Sequence, residues 1–194
     1  MTIKNQYSPN FSKKTRKIRD IKLIVIPHTG IQSRIASIKR LSSVKSKVSC
    51  HYLLDRKGQI LKMVNEDKVA WHAGKSKWKS FINLNKYSIG IELVNKGHDF
   101  GYESFTNLQI KRLVELCLKL KKKYNIKISN IVGHSDIAPF RKIDPGEKFP
   151  WIKLEKNNLG ICYKKSILKT KQLKNEKTEK LFFRNLHKIG YRYF

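Results

Sequence analysis

The sequence lacks the features of a membrane-spanning or disulfide-stapled protein. None of its apolar runs approaches the eighteen or so residues that a transmembrane helix requires. Its three cysteines, Cys50, Cys117 and Cys162, are odd in number and widely spaced, which favours a reducing compartment over a disulfide framework. The first twenty residues are basic, but no apolar stretch follows them, so no secretory signal is predicted. We therefore expect a cytoplasmic protein; a leader hidden by a misassigned start codon would make it periplasmic.

Acidic residues are also scarce. The 194 residues include 43 Lys and Arg against 14 Asp and Glu, for a formal charge of +29. Such a charge favours acidic partners, but compositional drift toward lysine is the favoured explanation of it. Aromatic residues are not interleaved with the basic ones in a clustered motif, so specific nucleic-acid binding is not predicted, and neither is membrane insertion. Hydrophobic residues make up 40% of the chain, enough for one ordinary core.

The hydrophobic pattern predicts an α/β fold. Helical spacing of apolar residues indicates two helices, and short β-branched or alternating runs indicate strands. The resulting order, β-α-β-β-β-α-β, predicts a single mixed sheet flanked by helices. The predicted strands are residues 22–27, 48–54, 59–64, 87–94 and 127–132, and the predicted helices are residues 31–41 and 106–124.

We divide the chain into three parts. Residues 1–19 are expected to form a loose basic arm, residues 20–163 a single domain, and residues 164–194 a Lys-rich extension. The extension regains helical spacing near its end, with Gly190 as the expected helix stop. Because a lone helix cannot bury its own apolar face, we expect Leu181, Phe182 and Leu186 to pack on the domain.

Three polar residues have the placement of metal ligands. His28 and His134 each come directly after a predicted buried strand, and Asp144 follows in a proline-stiffened loop. Ligands at the ends of neighbouring strands can converge at one edge of a sheet, and a catalytic zinc ion needs three protein ligands with one open position. The alternative is that each histidine simply caps a strand.

Two charged residues fit a reaction at the same place. Glu92 interrupts an otherwise apolar strand, where desolvation would raise its pKa and suit it to proton transfer. Lys142 lies two residues before Asp144, so in an extended segment it projects toward the same pocket and could stabilise an oxyanion. The alternatives are a Glu at a solvent-facing sheet edge and one more surface lysine.

Trp71 and His72 stand beside small residues in the segment VAWHAG. A flat ring and a neighbouring imidazole suit the wall of a groove that binds a sugar or a peptide. The alternative is that Trp71 belongs to the core.

These segments together resemble a known family, the zinc-dependent N-acetylmuramoyl-L-alanine amidases of the AmpD/AmiD type, whose fold is shared with peptidoglycan recognition proteins. The resemblance rests on IVIPHTG, VSCHYLLDRKGQI, VAWHAG, NLNKYSIGIELVN and GHSDIAPFRKIDPGEKFPW, in this order. The last segment is the most specific. The C-terminal segment KTEKLFFRNLHKIGYRYF resembles only the first helix of a peptidoglycan-binding domain, which would make it a remnant.

The resemblance implies roles for individual residues. His28, His134 and Asp144 would bind one Zn²⁺ at an edge of the sheet. Glu92 would be the general base and acid, and Lys142 would stabilise the tetrahedral intermediate. The predicted substrate-binding residues are Thr29, Trp71, His72 and Asn83.

The resemblance also implies a reaction, hydrolysis of the amide between N-acetylmuramic acid, or its 1,6-anhydro form, and L-alanine in peptidoglycan fragments during wall recycling. Two alternatives stay open. In the first, the chain acts mainly on intact peptidoglycan as a wall-remodelling amidase. In the second, it binds muropeptides without cleaving them. In each case the partner is a muropeptide or peptidoglycan.

Overall fold

The structure, a computed structural model, describes residues 2–162 and 176–192. A six-stranded mixed sheet forms its centre, in the order β1-β5-β4-β9-β3-β10, and all neighbours are parallel except β4 and β5. These strands are β1 (Ile3–Asn5), β3 (Leu23–Ile26), β4 (Tyr52–Leu54), β5 (Ile60–Lys62), β9 (Ser88–Leu93) and β10 (Ile131–Gly133). Two short pairs complete the β structure, namely β2 (Phe11–Ser12) with β6 (Val69–Ala70) and β7 (Lys77–Trp78) with β8 (Phe81–Ile82).

Helices cover the sheet, and the predicted mixed α/β architecture is confirmed. The helices of the described ranges are α1 (Arg34–Ser42), α2 (Asn107–Tyr124), α3 (His134–Ile137), α4 (Trp151–Glu155) and α5 (Glu176–Ile189). None of these helices is long and apolar enough to cross a membrane. The predicted helix 31–41 and strands 48–54 and 127–132 all begin later than predicted, because turns and 3₁₀ segments precede them.

Helix α2 starts where its sequence predicts. Thr106 is the N-cap, and its hydroxyl accepts a hydrogen bond from the Gln109 amide at 3.1 Å. The Gln109 side chain itself donates to the carbonyls of Leu54 and Val94, at 3.1 and 3.2 Å. The helix is thereby joined to the ends of β4 and β9.

The prediction of a loose N-terminal arm was wrong. Strand β1 adds to the edge of the main sheet beside β5, and β2 pairs with β6. Arg16 is buried, and its guanidinium donates to the carbonyls of Glu66 at 2.9 Å and Ser88 at 2.7 Å. A buried arginine with several backbone acceptors fixes this segment to the domain.

The C-terminal helix packs differently from the prediction. Leu181 and Phe182 are 44% and 54% exposed, so their predicted packing on the domain was wrong, and Leu186 is only half-buried. The contact is made further along, where Ile189 and Tyr191 pack against the domain core on either side of Gly190. Residues 163–175, which include most of the Lys-rich part of the extension, lie outside the described residues.

Candidate active site

Three adjacent parallel strands bring the predicted site residues to one edge of the sheet. Strand β3 lies between β9 and β10, so the carboxyl ends of all three point the same way. His28 follows β3 after one proline and pairs with Leu93 at the end of β9. His134 directly follows β10 as the first residue of α3. The predicted convergence of both histidines follows from this topology.

Asp144 joins the two histidines. Its Oδ2 atom accepts a hydrogen bond from the His28 amide at 3.3 Å and lies 3.1 Å from His134 Nδ1. Its backbone carbonyl accepts from the Ser135 amide at 2.8 Å, which holds the returning loop against the start of α3. Burial acts to raise the pKa of Asp144, but the contact with His134 and nearby positive charge outweigh it and keep the pKa below its usual value.

The hydrogen bonds of His134 require a proton or a metal ion between its ring and Asp144. Nε2 lies 3.2 Å from the carbonyl of Ala73, an acceptor only, so Nε2 carries a proton. In neutral His134, Nδ1 then presents a lone pair toward the carboxylate oxygen. Two lone pairs at this distance repel each other unless a proton or a metal ion is shared between them. A ring whose outer nitrogen donates to a carbonyl is the usual arrangement of a metal-binding histidine.

His28 supplies one further donor nitrogen, since a neutral imidazole has a lone pair on one ring nitrogen and a proton on the other. Both of its ring nitrogens are buried, and neither has a hydrogen-bond partner among the described residues. Burial lowers the pKa of this imidazole, against the opposing effect of Asp144, which favours the neutral form that binds metals. Tyr102 packs on the ring with centroids 5.6 Å apart. An orphaned, neutral imidazole beside a carboxylate fits a divalent cation.

The donor atoms are not yet arranged around a common point. Within residues 2–162 and 176–192, no group of three or more His, Cys, Asp or Glu side chains is placed so that it could hold a metal ion as it stands. His134 Nδ1 and Asp144 Oδ2 lie 3.1 Å apart, but no third side chain of the described residues completes a site with them in this arrangement. The residues fit a cation by their chemistry, and side-chain adjustment would be needed to bind it.

Glu92 lies on β9 and faces the same region. Its Oε2 atom is buried and has no hydrogen-bond partner in the described part of the chain. The pKa of Glu92 is raised to about 8, mainly by burial and also by the Asp144 carboxylate, while Lys142 and Arg40 act in the opposite direction. This side chain can therefore hold or release a proton near neutral pH.

Lys142 is half-buried in the loop between His134 and Asp144. Its backbone amide donates to the carbonyl of Ala138 at 2.9 Å, which fixes the loop just after α3. Its charge acts on the pKa values of His28, Glu92 and Asp144.

The profile of the family described as N-acetylmuramoyl-L-alanine amidase matches residues 17–147, well over half of the chain. The chain belongs to this family. It is 38% identical over 154 residues to N-acetylmuramoyl-L-alanine amidase AmiD of Escherichia coli, covering 72% of this chain and 54% of AmiD. It is 42% identical over 106 residues to 1,6-anhydro-N-acetylmuramyl-L-alanine amidase AmpD of Haemophilus influenzae, covering 54% of this chain and 55% of AmpD. The chain thus spans about half the length of these curated relatives.

Solved structures of this family share the fold. E. coli AmiD, in complex with the substrate anhydro-N-acetylmuramic acid-L-Ala-D-gamma-Glu-L-Lys, superposes with a TM-score of 0.77 and 31% identity, covering 94% of this chain and 76% of that one. AmpDh3 from Pseudomonas aeruginosa gives a TM-score of 0.75 and 30% identity, covering 93% and 77%. The agreement extends over nearly the whole of this family member.

The predicted substrate-binding residues of this amidase-family chain separate into three locations. Thr29 lies beside His28 and exchanges hydrogen bonds with the backbone of Asn95, at the edge of an open groove of about 530 Å³. Trp71 and the exposed Asn83 line a larger cleft of about 850 Å³, whose walls carry Lys13, Lys14, Lys17, Lys75 and Lys86. Their place on a basic cleft is compatible with the predicted role.

His72 is buried inside the domain, so it does not form a groove wall as predicted. Its Nε2 atom lies 3.2 Å from the Ser88 hydroxyl, and the ring packs against the sheet at Gly90. The amides of His72 and Ala73 both donate to the side chain of Asn85, at 3.0 and 2.7 Å. His72 supports the sheet beneath Glu92 instead of facing a ligand.

Two residues that shape the site were not predicted from the sequence. Tyr102 packs on His28 and donates to the carbonyl of Pro145 at 2.6 Å. Arg141 donates at 2.8 Å to the carbonyl of Ala73, the same acceptor that His134 uses. Arg141 adjoins Lys142 in the most specific motif, which is a signal that could have found it, whereas Tyr102 stands in a loop without any pattern.

Proposed function

We propose that this chain is a zinc-dependent amidase that hydrolyses the bond between N-acetylmuramic acid, or its 1,6-anhydro form, and L-alanine in peptidoglycan fragments. Family membership supports the reaction class. The observation that carries the proposal is the Asp144 carboxylate, which contacts His28 and His134, with the orphaned Glu92 carboxyl beside it.

In this proposal, His28, His134 and Asp144 hold one Zn²⁺ per chain, and three protein ligands leave a position open. When bound, zinc lowers the pKa of a coordinated water and polarises the scissile carbonyl. The His134 ring is held in the metal-binding tautomer by the Ala73 carbonyl, and Arg141 holds that carbonyl in place. Loss of these supports is expected to weaken the site.

Glu92 and Lys142 supply the proton transfer and the positive charge. The raised pKa of Glu92, about 8, allows it to accept the proton of the attacking water and to deliver it to the L-alanine nitrogen as the amide bond breaks. Lys142 stabilises the negative charge that develops on the carbonyl oxygen, which matters most in a site shielded from water.

The substrate form is the finer part of the proposal. AmpD is named for the 1,6-anhydro sugar, and the AmiD structure contains an anhydro-muropeptide. A basic surface suits the carboxylates of stem peptides, and the charge of +29 is compatible with either soluble fragments or intact peptidoglycan. The predicted cytoplasmic location would favour soluble fragments and stays a prediction.

The test uses the purified chain with zinc. Anhydro-muropeptide and intact sacculi are each incubated with the chain, with and without a chelator, and released peptides are identified by mass spectrometry. Peptides with a free L-alanine amino terminus, produced only without chelator, are expected. A chain that retains muropeptides but releases no peptide would be a binding module, and the relative rates on the two substrates distinguish recycling from wall remodelling.

Glu92→Gln provides the matched variant. It removes the proton acceptor without changing the size of the side chain, and we expect a rate at least about 100-fold lower with zinc content unchanged. Glu115→Gln is the control, since Glu115 pairs with Arg112 on the surface of α2. Wild-type turnover by Glu92→Gln would remove this residue from the mechanism.

A further inference from the structure

A single short helix positions much of the candidate site. Helix α3 begins with His134, and the Ser135 amide donates to the carbonyl of Asp144 at 2.8 Å. The residue after the helix, Ala138, accepts from the amide of Lys142 at 2.9 Å. A rotation or shift of α3 would therefore move two predicted ligands and the predicted oxyanion-stabilising lysine together.

Helix α3 has only four residues, Ile137 being its last. One turn of helix has almost no intrinsic stability, so its orientation depends on what packs around it. Ile137 and Ala138 are buried in an apolar cluster with Trp78, and the partly buried residues packed against that cluster include Ile189 and Tyr191. The C-terminal segment is thus part of the surroundings of α3.

Tyr191 also makes a polar contact with this helix. Its hydroxyl donates a short hydrogen bond to Oδ1 of Asp136. The other oxygen of the same carboxylate accepts from the amide of Gly133 at 2.7 Å, directly before His134. Asp136 is therefore held between the C-terminal segment and the backbone that carries a predicted zinc ligand.

The contacts that hold Gly190 and Tyr191 against the domain depend on particular residues. Gly190 directly follows helix α5, and its carbonyl accepts from the Lys79 amide at 2.7 Å. The Tyr191 ring meets Trp78 edge-on with centroids 5.1 Å apart. A Cβ at Gly190 would lie 2.6 Å from Trp78 Cε2, and the φ of +151° also disfavours a side chain. Only glycine allows this close approach.

We propose that Gly190 and Tyr191 form a positioning element for the metal site, in which Tyr191 acts through Asp136 to fix the start of α3 and thereby His134. This inference rests on the proposed zinc function. It assigns to the C-terminal extension a task within the amidase domain, separate from any binding of peptidoglycan by α5. Tyr191 is a positioning residue because Asp136 and the Gly133 backbone stand between it and the predicted ligand.

The experiment measures zinc affinity by competition with a chromophoric chelator, alongside kcat and KM, for the full chain. Tyr191→Phe removes only the hydroxyl. A cavity of about 300 Å³ borders Asp136 and Tyr191, so a water molecule can partly replace the lost hydroxyl. We therefore expect zinc affinity to fall only about 3- to 10-fold, a small effect for a residue that acts on a metal ligand through other groups. Gly190→Val disrupts all the contacts of Gly190 and Tyr191 with the domain, and we expect zinc affinity to fall at least about tenfold.

Tyr124→Phe is the control, because the Tyr124 hydroxyl also donates to a carboxylate, that of Glu66, away from α3. It is expected to leave zinc affinity within twofold of wild type. At saturating zinc, Tyr191→Phe should recover most of its kcat, which a general loss of structure would not allow. If Tyr191→Phe binds zinc with wild-type affinity, the inference is overturned. This outcome decides the question even if Gly190→Val does not fold. A wild-type chain that binds no zinc instead overturns the proposed function.

Discussion

The imidazole of His72 lies against the backbone of Gly90, so closely that a Cβ on Gly90 would be 2.3 Å from His72 Cγ. Gly90 and Glu92 are two residues apart on β9 and therefore face the same side of the sheet. The glycine thus makes room for a buried ring immediately beside the predicted general base. This contact connects the core of the fold with the geometry of the site.

Gly90→Ala should destabilise the protein and reduce its activity. The new methyl group cannot coexist with the His72 ring in its present place, and overpacking of this kind costs about 1–3 kcal/mol. Displacement of β9 would also move Glu92. Urea unfolding measures the loss in free energy, and peptide release from muropeptide measures the effect on activity.

The double variant Gly90→Ala/His72→Ala tests the cause. With the ring removed, the methyl group meets little, so the double variant should be less destabilised than the sum of the two single variants. Strict additivity would mean that the clash with His72 is not the source of the effect.

Arg16→Ala should destabilise the fold although it changes a residue of the N-terminal segment. The guanidinium donates to the carbonyls of Glu66, Asn85, Lys86 and Ser88. Removing it leaves buried acceptors unpaired, at a cost of about 1–3 kcal/mol for each one that water cannot reach. Urea unfolding should show a total loss of about 2–4 kcal/mol, with residues 1–16 becoming sensitive to protease. Arg19→Ala, at an exposed position, is the control and should change neither property.

The predictable parts of the molecule are those with a local or periodic cause. The apolar run of β3, the alternation of β9 and the N-cap of α2 each follow from residues within a few positions. The placement of His28 and His134 could be predicted for a related reason, because the ends of parallel strands meet at one edge of a sheet.

The remaining features depend on contacts between distant residues. The segment around Arg16 is polar, and its sequence alone predicts a loose arm. It is ordered because the Ser88 carbonyl, 72 positions away, accepts a hydrogen bond from Arg16. His72 could not be placed from its neighbours, because the space for its ring is created by Gly90 on another strand. Tyr191 has no local pattern, and its link to the site depends on Asp136, 55 positions earlier.

Acid should destabilise the protein through its buried histidines. Burial lowers the pKa of His72 from 6.5 to about 3, and burial lowers the pKa of His51 as well. Between pH 6.5 and about pH 3 the unfolded chain binds a proton at His72 that the folded chain does not. Stability is therefore complete above pH 6.5 and falls as the pH decreases toward 3, by about 1.4 kcal/mol per pH unit for each such histidine.

Urea unfolding at a series of pH values between 4 and 7.5 checks this dependence. His72→Gln should flatten the slope by the contribution of one proton, whatever its effect on stability at neutral pH. His187→Gln is the control, since His187 is exposed on α5. An unchanged slope in His72→Gln would show that other groups cause the acid sensitivity.

Lys142→Met should separate catalysis from metal binding. Methionine keeps most of the length and apolar stem of lysine but removes the charge. Because that charge is proposed to act on the oxyanion that forms during the reaction, kcat should fall about 10²- to 10³-fold while KM changes little. Zinc affinity should stay near that of the wild type, since Lys142 is not a proposed ligand.

Two comparisons make this result specific. Lys156→Met removes an exposed lysine after α4 and should leave kcat unchanged, which excludes an effect of net charge alone. Lys142→Arg restores the charge with a different shape and should recover part of the rate. If Lys142→Met lost zinc and activity in parallel, the lysine would act by holding the loop that carries Asp144. The backbone of Lys142 is part of this loop, and its amide donates to the carbonyl of Ala138. A kcat effect with intact zinc binding instead requires the ammonium group itself to meet the reacting carbonyl.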